Sequence, residues 1–331
     1  MKVVLHLLTG KSELERITVT YPANRLGIVK GVRGSLRRSK QLKDVKRQVV
    51  DTCEDFSIAK TVSVVRAVKK FENPGLVFAF ASLRRTNIGI SHLSQLARTD
   101  FSKEYEAALI ELWDCLKPGQ RREGSELRHS KSWSEIGFQG LDPATDFRGG
   151  GVLSLENLRY FAKESPEIAR KILAEQCHDI TKGGFPFALA GINITAFLLG
   201  LAQKRKLDDL FILLSSEAEE ESHGTIRASL RRQSRAGPSS GRIVPDETSP
   251  LLGEDHTGLD EDAHQDDDQT RALALERFNG AYTVVFTMLA NRWRQAAPRD
   301  VMGFPNVFHP FKHEIEILIE TKEGLSTLAG V

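Results

Sequence analysis

The sequence predicts a mostly α-helical protein, built as a single helical domain with one long insertion. Apolar residues recur at helical spacing through most of the 331 residues. The stretch 183–203 contains no charged residue and predicts a buried central helix, because its glycines, Pro186, Asn193 and Thr195 make it too polar for a membrane span. Hydrophobic residues are 40% and charged residues 27% of the chain, which excludes collagen-like, disulfide-rich and wholly disordered proteins.

An N-terminal extension, residues 1–84, is expected to pack on the main domain. Residues 1–22 alternate weakly between polar and apolar side chains, which predicts a short β-hairpin that turns at 9–12. Two helices follow in the prediction. The first, 35–53, is basic, and the second, 58–71, carries apolar residues at helical spacing.

The main domain is predicted in two parts, residues 85–217 and residues 270–322. Helical spacing in the first part predicts helices over 90–97, 103–116, 153–163, 166–177 and 183–203. In the second part, apolar spacing resumes at Leu273, and a last helix is predicted over 310–320. The two parts are expected to pack together as one helical domain.

Residues 218–269 separate these two parts and are predicted to be a disordered acidic insertion. They are poor in apolar residues and rich in Ser, Glu, Asp, Gly and Pro, so they cannot bury enough surface to fold. Two short signals lie inside. Ser234 follows two arginines, as in a basophilic kinase site, and Glu247 with Leu251 and Leu252 resembles an acidic dileucine signal.

Positive charge is concentrated near the N-terminus, although the net charge of the whole chain is only +2. Between residues 21 and 50 the only acid is Asp44, and the basic residues are Arg25, Lys30, Arg33, Arg37, Arg38, Lys40, Lys43, Lys46 and Arg47. Such a run is either a solvated helix face or a surface that contacts an anionic membrane. A nucleic-acid partner is not expected, since no recognised binding motif accompanies the charge.

Several patterns fail as catalytic or metal motifs. Residues 9–12 match the end of a phosphate-binding loop motif. The first glycine of that motif is missing, because Leu5 stands at its position. His309 and His313 are four residues apart, but Pro310 lies between them and no HExxH context exists, so no metal site is expected. The three cysteines are far apart and form no CxxC pair, which favours a reducing compartment.

The segment 133–161 is the densest in functional signals. Asp142 before Pro143 is a good N-cap, so 143–147 should form a short helical turn that ends at Arg148. Three glycines then break the helix and leave the backbone bare beside the arginine. A planar guanidinium suits phosphate or carboxylate. On this chemistry alone, Arg148 either meets a partner's anionic group or pairs with Asp142 or Asp146 and only caps the turn.

This segment resembles the signature of the engulfment-and-cell-motility (ELMO) domain family, and in particular its ELMO-domain-containing branch. The pattern of that branch is W-x3-GFQ-x3-P-x-TD-[FL]-RG-x-G-x3-L-x2-L-x-YF. It is met at every fixed position: Trp133, Gly137, Phe138, Gln139, Pro143, Thr145, Asp146, Phe147, Arg148, Gly149, Gly151, Leu155, Leu158, Tyr160 and Phe161. The resemblance extends over roughly residues 85–320, apart from the acidic insertion.

The resemblance implies a mostly helical fold and a GTPase-activating protein for an Arf or Arf-like small GTPase. It implies that Arg148 is the catalytic arginine, and that Gln139 and Asp146 position its loop. The alternative is a non-catalytic adaptor that binds a small GTPase or a Rho-family exchange factor. The scaffold branch of the family, which partners such exchange factors, usually lacks the arginine, so the presence of Arg148 favours the activating role. No cofactor is expected, because GTP and Mg²⁺ would belong to the partner. A cytoplasmic location, peripheral on endomembranes, is implied, and the sequence predicts no oligomeric state.

Overall fold

The computed structural model describes residues 13–20, 25–38, 74–123, 128–176, 183–212 and 257–329, and no strand occurs within these ranges. The predicted α-helical fold is therefore confirmed. Its helices are α1 (Glu13–Thr20), α2 (Arg25–Arg38), α3 (Pro74–Arg98), α4 (Glu106–Leu116), α5 (Gly151–Glu164), α6 (Pro166–Gln176), α7 (Phe187–Gln203), α8 (Thr257–Ala296), α9 (Phe304–Leu318) and α10 (Lys322–Ala329). Short 3₁₀ turns connect several of them.

The uncharged run forms the central helix α7, as predicted. Most of its side chains are buried, including Ile194 and Leu198. Gly191 allows close packing with α5 and α8, because a Cβ added there would lie 2.3 Å from the Tyr282 hydroxyl and 2.6 Å from Leu158 Cδ2. Among the helices that the structure describes, none combines the length and the apolar character needed to cross a bilayer.

The long helix α8 begins at Thr257, well before the predicted end of the acidic insertion at Gln269. Its later turns bury Phe278, Tyr282 and Phe286 in the main core. The acidic composition of 257–269 suggested disorder, yet Asp267 is 6% exposed and accepts a hydrogen bond from Arg84 on α3. The prediction is thus wrong for 257–269. Residues 213–256, with Ser234, Glu247, Leu251 and Leu252, lie outside the described part of the chain.

Two deletions should separate the insertion from the helix. We expect removal of 218–256 to leave the thermal midpoint unchanged, because this segment is too polar to contribute to a core. Removal of 218–269 also takes away Asp267 and the start of α8, and we expect it to lower the midpoint by about 5 °C or more. Thermal melts of both variants test this. Equal midpoints for the two deletions would contradict it.

The predicted N-terminal hairpin is wrong in the part that is described, because Glu13–Thr20 is helix α1. Strand-like alternation would place Ile17 and Val19 on one face. Instead Leu14, Ile17 and Thr18 share a helical face, and Val19 is 59% exposed. This face lies against α2 at Gly31, whose lack of a side chain lets the helices approach. Residues 1–12, 39–53 and 58–71 are outside the described ranges.

Helix α3 is shared by two hydrophobic clusters. Its first half packs with α1, α2 and Ile212, and its second half, from Ile90 onward, joins the main core. The predicted boundary between residues 84 and 85 therefore lies in the middle of a helix and not in a linker. The change of cluster occurs between Leu83 and Ile90, close to that boundary.

Ion pairs connect helix α2 to the main domain. Lys30 pairs with Asp209, and Arg33 pairs with Asp208. Asp208 also accepts a hydrogen bond from Arg205 Nε at 3.2 Å, and Arg205 donates to Asn87 on α3 at 2.6 Å. Two of the basic residues considered for a membrane surface thus make ion pairs with the main domain, so such a surface would depend mainly on the others.

Candidate functional site

The turn that carries Arg148 is built from two consecutive 3₁₀ turns, Pro143–Thr145 and Phe147–Gly149. Asp142 caps the first, because its carboxylate accepts from the amide of Ala144 at 3.0 Å and Pro143 follows at the first helical position. The hydroxyl of Thr145 donates to the Asp142 carbonyl at 2.9 Å. The predicted helical turn is present, but it is tighter than an α-helix.

A row of aromatic rings, all buried except the partly exposed Phe101, packs against this turn. Trp113 meets Trp133 edge-on at 5.6 Å between ring centroids, and Trp133 meets Phe138 at 5.9 Å. Phe138 contacts Phe147 at 5.6 Å, and Phe147 stacks on Phe101 at 5.7 Å. The three rings that belong to the signature, Trp133, Phe138 and Phe147, are each at most 1% exposed. Because Phe147 packs between Phe138 and Phe101 in this row, the backbone next to Arg148 is anchored in the core.

The signature residue Gly137 fixes the loop against helix α7. Its φ is +88°, a conformation that favours glycine, and it ends the 3₁₀ turn Lys131–Ile136. A Cβ at this position would lie 2.5 Å from the backbone nitrogen of Phe187. Its carbonyl accepts from the amide of Leu189. Gly137 is therefore a signature position at which a side chain has no room.

The three glycines after Arg148 differ in their surroundings. Gly149 is exposed, as predicted, but Gly150 and Gly151 are buried, so the expectation of three bare residues is wrong. Gly151 has φ +53°, and a Cβ there would lie 2.4 Å from the carbonyl oxygen of Ala97. The next amide, Val152, donates to the Thr99 carbonyl at 3.1 Å. The end of α3 thus holds the start of α5.

Arg148 is exposed at the end of this anchored turn. Its Nε donates to the Thr145 carbonyl at 3.0 Å, which fixes the plane of the guanidinium near its base. Within the described residues, no carboxylate lies within ion-pair distance of it, so it pairs with neither Asp142 nor Asp146. The two terminal nitrogens are left with their donors for an external anionic group.

The two acids of the turn have other partners. Asp142 pairs with Arg128 at 2.9 Å and lies 3.5 Å from His129. Asp146 accepts from the backbone amide of Gln139 at 2.9 Å. Burial raises the pKa of Asp146, while the Gln139 bond and the nearby charge of Arg148 act in the opposite direction. Asp146 therefore connects the two ends of the loop and leaves Arg148 unpaired.

One buried polar network near the site was not anticipated from the sequence. Thr195 on α7 donates to Asn157 on α5 at 2.8 Å, and Asn157 donates to Asn279 on α8. The network joins the three central helices behind the turn, and all three residues are at most 5% exposed. Its signal was present, since Asn193 to Thr195 is a polar interruption of the uncharged run, but the partners lie far away in sequence.

The described residues contain no group of three potential metal ligands. His309 and His313 are both exposed on α9.

The fold and the site together define a helical domain whose candidate functional group is an exposed arginine on a rigid turn. The sequence profile of the ELMO/CED-12 family matches residues 89–308, close to the predicted extent of the resemblance. The chain belongs to this family.

Three relatives illustrate the similarity. The ELMO domain-containing protein B of Dictyostelium discoideum is 35% identical over 216 residues, which cover 61% of this chain and 73% of the relative. The ELMO domain-containing protein 1 of Mus musculus is 32% identical over 251 residues, covering 67% and 74%. The ELMO domain-containing protein 2 of Bos taurus is 32% identical over 214 residues, covering 62% and 71%. No solved structure matches the chain.

Proposed function

We propose that this protein activates GTP hydrolysis by an Arf or Arf-like small GTPase, with Arg148 as an arginine finger. The observation that carries the proposal is the state of Arg148. It is exposed, held at Nε by the Thr145 carbonyl, and free of any described carboxylate. Its place in the complete signature of the activating branch supports the same role.

The proposed chemistry needs only charge and position. During phosphoryl transfer, negative charge spreads over the oxygens of the transferred group. The terminal nitrogens of Arg148 would contact those oxygens inside the partner's nucleotide site. Because the turn is anchored by Phe147 and capped by Asp142, little reorganisation is needed on binding. GTP and Mg²⁺ are supplied by the GTPase in this proposal, so the protein itself requires no cofactor.

A single-turnover assay with a panel of GTP-loaded Arf-family proteins tests the proposal. We expect the protein to accelerate hydrolysis by at least one member of the panel, by about 10³-fold or more as for other arginine fingers. If the protein binds a GTP-loaded member without accelerating hydrolysis, the catalytic proposal is wrong and the adaptor function is supported instead.

A peripheral location on anionic membranes is a second part of the proposal. It rests on the basic residues between 37 and 47, since Lys30 and Arg33 are engaged within the protein. We expect Lys43→Glu/Lys46→Glu to weaken binding to phosphatidylserine vesicles, because each basic side chain near such a surface contributes about 1 kcal/mol. Binding should also fall with salt. The control is Lys103→Glu/Lys171→Glu, which makes the same change in net charge at two exposed positions of the main domain. If wild type pellets with neutral vesicles as well as it does with phosphatidylserine vesicles, this location is contradicted.

A further inference from the structure

Leu141 stands out in the segment that leads to Arg148, because its side chain is large, apolar and 54% exposed. It immediately precedes the capping residue Asp142. Its carbonyl accepts from the amide of Ser130 at 3.0 Å, so the backbone is fixed although the side chain is in water. Single exposed apolar residues are common on protein surfaces. Leu141 is of interest because it directly precedes the turn that carries Arg148.

A short series of hydrogen bonds connects Leu141 to the guanidinium. The amide and the hydroxyl of Thr145 both donate to the carbonyl of Asp142, the neighbour of Leu141. The Thr145 carbonyl in turn accepts from Arg148 Nε. Leu141 and Arg148 are therefore held by the same turn, and a partner that receives one of them meets the other in a fixed relation.

The acidic side chains of the segment 128–148 have partners within the protein: Glu135 pairs with Lys117 at 2.9 Å, Asp142 pairs with Arg128, and Asp146 accepts from the Gln139 amide. Lys131, by contrast, is exposed and has no ion-pair partner among the residues described. It follows Ser130, whose amide is bonded to the Leu141 carbonyl, so Lys131 lies beside Leu141.

We infer that Leu141 and Lys131 form the docking surface for the GTP-loaded GTPase, an inference that rests on the proposed function. The complementary partner surface is an apolar pocket for Leu141 with an acidic side chain for Lys131, next to the nucleotide phosphates that Arg148 contacts. A buried apolar anchor stabilises the complex, and the lysine steers it. These two residues therefore determine affinity, whereas Arg148 determines the rate of the chemical step.

The test measures the rate of GTP hydrolysis against the concentration of this protein for wild type, Leu141→Ala and Lys131→Glu. We expect Leu141→Ala to raise the half-saturating concentration about tenfold, with the maximal rate within about twofold of wild type. Lys131→Glu should raise it about fivefold and reduce its dependence on salt. The matched controls are Ile317→Ala, since Ile317 on α9 is also 54% exposed, and Lys171→Glu. Both controls should behave as wild type.

A parallel measurement, equilibrium binding to the GTPase loaded with a non-hydrolysable GTP analogue, separates this inference from the proposed function. One outcome is that wild type stimulates GTP hydrolysis while well-folded Leu141→Ala and Lys131→Glu show the same half-saturating concentration as wild type. That result overturns the docking surface and leaves the proposed function standing. Binding without stimulation, weakened by Leu141→Ala, overturns the function and supports the surface. If wild type neither binds nor stimulates any member of the panel, both are wrong. Thermal melts of each variant confirm that it is folded.

Discussion

Replacement of Arg148 by lysine should abolish nearly all stimulation of GTP hydrolysis, with a loss of about 10³-fold or more at saturating protein. Lysine keeps the charge, but it lacks the planar fork that can contact two oxygens. It also lacks the Nε–H group that donates to the Thr145 carbonyl, so the charged end is no longer held in one plane. The loss should appear in the maximal rate and not in the affinity for the GTP-loaded partner, because a finger acts mainly in the transition state.

Stability should change little in this variant. Arg148 is exposed and makes one hydrogen bond to the backbone, so we expect an effect of about 1 kcal/mol or less on the free energy of unfolding. Arg121→Lys is the matched control, because Arg121 is also exposed and makes no ion pair with another described residue. It should retain full activity. Full activity of well-folded Arg148→Lys would end the catalytic proposal, and a parallel loss of activity and folded protein would indicate a structural role.

Substitution of Gly137 by alanine should destabilise the fold strongly. The left-handed backbone costs alanine about 1–2 kcal/mol. The new Cβ would also lie 2.5 Å from the Phe187 nitrogen and 2.9 Å from the Ala188 nitrogen, and backbone atoms at the start of α7 cannot move aside cheaply. We expect a total loss of about 3–5 kcal/mol in the free energy of unfolding, or about 10 °C in the thermal midpoint.

The control for this substitution is Gly280→Ala on α8. Gly280 has no atom within 4 Å of an added Cβ and lies in a helix, so alanine should stabilise it by about 0.5–1 kcal/mol. Thermal and denaturant melts of the two variants provide the comparison. A Gly137→Ala protein as stable as wild type would show that the loop is not clamped on α7 in solution.

The elements that sequence could predict are those whose signal is local. The charge-free run 183–203 identified α7, and the Asp142-Pro143 pair identified the turn before Arg148. The start of α8 was missed because its acidic residues suggest solvation, whereas Asp267 is stabilised by Arg84, far away in the chain. Helix α1 was missed because its eight residues fit two periodicities, and only packing against Gly31 decides between them.

The candidate site shows the same division. Sequence could indicate an arginine beside glycines, but not whether the nearby acids would neutralise it. That outcome depends on Arg128 and on the backbone amide of Gln139, which occupy Asp142 and Asp146. Burial of Gly150 and Gly151 likewise depends on packing against other elements, since Gly151 lies against the end of α3.

Helix α3 has a consequence for cooperativity. Its 25 residues span about 37 Å at the rise of an α-helix, and they contribute to both hydrophobic clusters. Fraying of its first turns removes Leu76 and Leu83 from the smaller cluster, while its last turns hold Gly151 beside the Arg148 turn. The N-terminal helices and the candidate site should therefore unfold in one transition. A truncated protein that starts at residue 85 would begin in mid-helix, with an apolar surface on α3 no longer covered by α1 and α2.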